Sequence, residues 1–111
     1  MLAEKFNEIL EARLAEIRQR LGSKASEYSR NEDRLSNFKK AAHLMGCSME
    51  RAMLGTWSKH VVSITDFILD VEKGITHSDT AWNEKIGDTI NYLILLEAII
   101  KENSLCKPKS L

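Results

Sequence analysis

Apolar positions along this chain recur at steps of three and four for most of its length, which is the period of an amphipathic helix. Phe6, Leu10, Leu14, Ile17, Leu21, Ala25 and Tyr28 form one such stripe and predict a long helix over Leu2 to Tyr28, interrupted by Gly22. Leu35, Phe38, Ala42 and Met45 predict a second helix over Arg34 to Met45, with Gly46 placed to end it. Between these two lies the polar turn Ser29 to Asp33, where Asn31 or Asp33 can cap the next helix. Ser48 is a ready N-cap for a third helix that Gly74 ends. Its apolar face carries Met49, Met53, Trp57, Val61, Ile64, Phe67, Ile68 and Val71.

The fourth helix, Trp82 to Ile100, departs from the amphipathic pattern. From Ile90 onward it is apolar on most sides, which predicts a buried helix. It is too short and too interrupted by charge to span a bilayer. Its first half carries Glu84, Asp88 and Asn91 on one face, and buried polar groups of this kind must be paired or used. Ile75 to Thr80 reads as the preceding loop, with Ser78 or Asp79 as cap. After Lys101 the chain turns polar, so residues 102–111 are expected to form a flexible tail.

These elements predict one all-α domain over residues 1–101, a bundle of about four helices. The unusual apolarity from Leu93 to Ile100, together with the long first helix, points to a homo-oligomer. Sixteen basic residues balance sixteen acidic ones, so net charge gives no reason to expect a nucleic acid as partner. Two cysteines without metal-like spacing, and a charged N-terminus in place of a leader, fit the reducing cytoplasm.

Three polar sets are candidates for chemistry. Asp66 and Asp70 lie one turn apart on the third helix, and Glu84 and Asp88 on the fourth. Facing each other, these four carboxylates form an oxygen-ligand set for Mg²⁺, which in turn holds phosphates. The same stripe serves equally as a solvated charged face, neutralised by Lys59, Lys73 and Lys85. Lys59 and His60 make the second set: a cation two turns from Asp66, and an imidazole at the border of the apolar face that is either a hydrogen-bonded core residue or a proton-exchanging group. The third runs from Lys24 through Tyr28, Asp33, Arg34 and Asn37 to Lys40. Such a mixture can stack a base and pair a phosphate, or simply cap a turn. There is no glycine-rich phosphate loop, no HExxH and no CxxC.

The runs K-A-S-E-Y-S (24–29), D-R-L-S-N-F (33–38), K-H (59–60) and E-K-I-G-D-T-I-N-Y-L (84–93) together resemble the nucleotide-modification-associated domain family of bacteriophages and prophages. That family is related to the MazG-like all-α nucleoside triphosphate pyrophosphatases. The resemblance spans about Lys24 to Glu97. It implies a MazG-like fold, a nucleotide or nucleotide-derived ligand, and a Mg²⁺ site. Asp66, Glu84 and Asp88 would then be the catalytic acids, with Asp70 as a further metal ligand. Lys24, Tyr28, Asp33, Arg34, Asn37, Lys40, Lys59, His60 and Asn91 would bind the ligand. The match departs from the E-x-x-D motif of these enzymes at Lys85, which stands where a glutamate is expected, and from their first motif at Phe67. The resemblance therefore admits two activities at one site, Mg²⁺-dependent pyrophosphohydrolysis or sequestration of a nucleotide signal of host defence. A third expectation, of a different class, is a protein that inhibits a host defence protein by direct contact.

Overall fold

A computed structural model describes residues 1–22 and 33–106 of the chain. Among these the chain is all-helical: α1 (Ala3–Leu21), α2 (Ser36–Met45), α3 (Met49–Glu72) and α4 (Asp79–Cys106), with no strand. No described helix is long and apolar enough to cross a membrane. The chain divides into two compact units, Met1–Arg34 and Leu35–Leu111.

In the first unit α1 ends at Leu21, seven residues before the expected end at Tyr28, whose position lies outside the described residues. No residue of α1 is buried, and Phe6, Ile9 and Leu10 stay open to solvent. Arg34 donates from its guanidinium to the carbonyls of Leu21 and Gly22, satisfying two of the acceptors that a helix end leaves unmet.

In the second unit α3 is the central element, packed on both α2 and α4. Local chemistry sets its ends. The Ser48 hydroxyl accepts from the Arg51 amide at the N-terminus. At the other end Gly74 adopts φ 77°, the left-handed conformation that a Cβ disfavours. Its amide donates to the Val71 carbonyl, and that of Ile75 donates to Asp70, the two-bond closure of a Schellman turn. Gly46 (φ 65°) closes α2 in the same way, through Gly46 to His43 and Cys47 to Ala42.

Met53 meets Ile99, His60 meets Asp88 and Tyr92, and Phe67 meets Trp82. Contacts that rise along α3 fall along α4, so the two helices are antiparallel. Their core is Leu35, Met53 and Ile99, with Phe38, Trp57, Tyr92, Leu95 and Leu96 packed round it. Ile99 is wholly buried. The rest of the apolar run is not: Leu93, Ile94 and Ile100 stay between 42% and 49% exposed. The expectation of a buried helix over this run is met on one side only, because a single helix neighbour covers one face. α4 also continues past Lys101 to Cys106, and Glu102 on this extension pairs with Lys39 of α2 at 2.7 Å.

Two substitutions separate the core from the turn. Ile99→Ala is expected to lower unfolding stability by about 2–5 kcal/mol, through lost burial and the cavity left behind. Gly74→Ala has open space for its methyl, so it should cost only the left-handed backbone, about 1–2 kcal/mol. Urea unfolding of both variants checks the order.

Candidate functional site

The α3–α4 hairpin carries two polar clusters, one at its middle and one at its closed end. The middle cluster is built where α3 presents His60 to α4. His60 Nδ1 lies 3.9 Å from Asp88 Oδ2, an ion-pair distance rather than a direct hydrogen bond. The imidazole stacks on Tyr92, one turn further along α4, with centroids 4.9 Å apart. Tyr92 in turn meets the edge of Phe38 from α2. Asn91, between Asp88 and the core, holds its Oδ1 buried without a hydrogen-bond partner. A buried acceptor left unpaired is costly, so this atom is available to a donor. Burial holds the Tyr92 phenol above its ordinary range, and the Asp88 carboxylate raises it further by opposing a second negative charge.

The end cluster follows from the turn at Gly74. By reversing the chain just after Asp70, the Schellman closure brings His77 back over α3. His77 Nε2 lies 2.7 Å from Asp70 Oδ2. The His77 ring stacks on Phe67 with centroids 3.8 Å apart and planes 2° from parallel. Trp82 meets Phe67 edge-on, and the Lys85 ammonium sits 5.5 Å from the Phe67 ring centre.

The expected site residues are therefore distributed unevenly. Asp88 and His60 come together, and Asn91, three residues after Asp88 on α4, has its Oδ1 buried with no hydrogen-bond partner among the described residues. Asp70 belongs to the end cluster, where His77 engages it. Asp66, Glu84 and Lys59 are exposed on their helices, as are Asn37 and Lys40 on α2. Asp33 and Arg34 belong to the first unit, where Arg34 caps α1. Lys24 and Tyr28 lie outside the described residues. Among the described residues, no three His, Cys, Asp or Glu side chains group closely enough to hold a metal ion.

One member of the end cluster escapes a reading based on helical period. His77 lies in a loop, where no periodicity marks it. Its signal is weaker: a histidine shortly after a helix-ending glycine and seven residues after an aspartate. Phe67, already on the apolar stripe of α3, and Lys85 are also the two departures from the acidic motifs, and here they touch. A groove of about 420 Å³ also opens beside the core, with Leu54, Trp57, Tyr92, Leu93 and Leu96 in its walls and Arg51 at its rim. It is apolar and adjoins the middle cluster through Tyr92.

No protein-family model, curated protein or solved structure matches the chain.

His77→Ala removes both a carboxylate hydrogen bond and a ring stack. It should lower stability by about 1–2 kcal/mol in chemical denaturation. For Tyr92 the neutral phenol is favoured in the folded state. Its contribution is fully present below the unfolded pKa of 10.0 and is lost as pH rises through the higher folded value. In a Tyr28→Phe background, absorbance titration should place the Tyr92 midpoint above 10.0. Asp88→Asn should bring it part of the way back, because burial is the larger cause.

Proposed function

We propose that this chain binds a nucleotide or nucleotide-derived ligand in the manner of a MazG-like protein, and holds it rather than cleaving it. The observation that supports the reading most directly is the meeting of His60 from α3 with Asp88 and Tyr92 from α4, with the buried, unpaired oxygen of Asn91 one residue before Tyr92. These are chemically the groups a nucleoside needs. The Asn91 carbonyl oxygen accepts from an exocyclic amine or a ribose hydroxyl. Asp88 accepts from a second hydroxyl or amine, and the His60 imidazole both donates and accepts. The neighbouring groove, walled by Trp57 and Leu93, has the apolar, aromatic character on which a base stacks. Lys59, one residue before His60 and exposed, is placed for a phosphate.

Two observations favour holding over hydrolysis. The Asp70 carboxylate is engaged by His77, and the residue at the expected glutamate position, Lys85, lies against Phe67. The first occupies a carboxylate and the second sets a cation where a Mg²⁺ site requires negative charge. Such a protein, if phage-encoded as the family resemblance implies, serves to withdraw a nucleotide signal from a host defence. Pyrophosphohydrolysis is the second reading, supported by Asp88 standing opposite His60 at the place of the motif aspartate.

Calorimetry with nucleoside triphosphates, cyclic dinucleotides and Mg²⁺, followed by chromatography of the mixture, separates these activities. Binding is expected with the nucleotide recovered intact. Asp88→Asn or Asn91→Leu should weaken it about tenfold or more, the cost of one buried polar contact. Pyrophosphate release that Asp88→Asn abolishes would establish the enzyme instead. Failure to bind any nucleotide, with a host protein co-purifying, would favour the interaction inhibitor.

A further inference from the structure

The face of α3 opposite the core has a pattern of its own. Leu54, Ser58, Val62, Thr65 and Leu69 succeed one another at steps of four, four, three and four, so they form one straight seam. All five are exposed, and Leu54, Val62 and Leu69 are 50%, 60% and 45% open to solvent. The two hydroxyls between them need no partner. Ser58 donates to the Gly55 carbonyl and Thr65 to the Val61 carbonyl, each within its own helix. What this seam shows to the outside is therefore apolar or internally satisfied. Gly55 beside it leaves open space where a side chain would stand, so a second backbone can come close.

Charge says what covers the seam. Arg51 continues it at the N-terminal end and Glu72 at the C-terminal end, while Lys59 and Asp66 flank it on one side. All four are exposed, and among the described residues none of these side chains has an ion-pair partner. We propose that α3 pairs antiparallel with α3 of a second copy of this chain, about a twofold axis beside Val62. That axis sets Leu54 against Leu69 of the partner subunit, and Ser58 against Thr65 of the partner subunit. It also sets Arg51 against Glu72 of the partner subunit, and Lys59 against Asp66 of the partner subunit. By symmetry each contact occurs twice, so four opposite-charge pairs bracket an apolar seam about 22 Å long, the rise from Leu54 to Leu69. A parallel pairing would set Arg51 against Arg51 of the partner subunit and Glu72 against Glu72 of the partner subunit, and would leave Lys59 and the partner's Asp66 on opposite edges. The register also brings Lys59 of one copy beside Asp66 of the other, two residues expected at a ligand site but lying exposed in a single chain.

The pairing stands on the geometry of α3 and does not depend on nucleotide binding. Its test uses sedimentation equilibrium of the full chain at tens of micromolar. Wild type is expected at twice the chain mass of 12.6 kDa or a multiple of that. Val62→Glu, which sets two carboxylates across the axis, should shift it to smaller species. Arg51→Glu should weaken association about tenfold, and the double exchange Arg51→Glu with Glu72→Arg should restore it, because the exchanged charges again meet. A monomeric wild type overturns the proposal. So does an unchanged mass in Val62→Glu, or a double exchange no better than Arg51→Glu alone. Circular dichroism confirms that each surface variant keeps its helices. Nucleotide binding is measured separately on Val62→Glu, so loss of the seam and loss of the ligand are told apart.

Discussion

The antiparallel contact of α3 with α4 carries the second unit of this protein. Without that contact neither helix would bury enough apolar surface to offset the entropy of ordering the chain. Ile99 and Met53, set against each other at the open end of the hairpin, are the most completely buried side chains among the described residues. The same antiparallel register then decides which polar residues meet. His60 reaches Asp88 and Tyr92, Phe67 reaches Trp82 and Lys85, and each pairing follows from the one before it by a turn or two of helix.

Gly74 is the small residue on which that register turns. Its left-handed backbone lets the chain close the end of α3 with two amide bonds and head back toward α4. Asp70 serves this turn twice, accepting the Ile75 amide with its backbone carbonyl and contacting His77 with its carboxylate. An aspartate with metal-ligand spacing thus takes part in a structural clasp. Asp88 has a comparable local neighbour in His60, but at a distance that leaves its carboxylate free for further hydrogen bonds. That contrast is why the nucleotide reading rests on the middle of the hairpin and not on its end.

A bundle with so few wholly buried side chains leaves much apolar surface without cover. α4 has one close helix partner, and the outer face of α3 has none in the second unit. Association of copies is the physical solution available to a chain of this size.

Much of the fold was legible along the chain. The steps of three and four placed α2, α3 and α4, and Ser48, Gly46 and Gly74 marked their ends, because helix period and capping depend on residues near in sequence. The pairing of His60 with Asp88, and the unmet oxygen of Asn91, sit among residues that the sequence had already singled out. The clasp of His77 on Asp70 and Phe67 was not legible, nor was the division of Asp70 and Asp88 between two histidines. Both depend on how α3 and α4 rotate and slide against each other. That register is set by which side chains fill the core between them, and no local spacing records it.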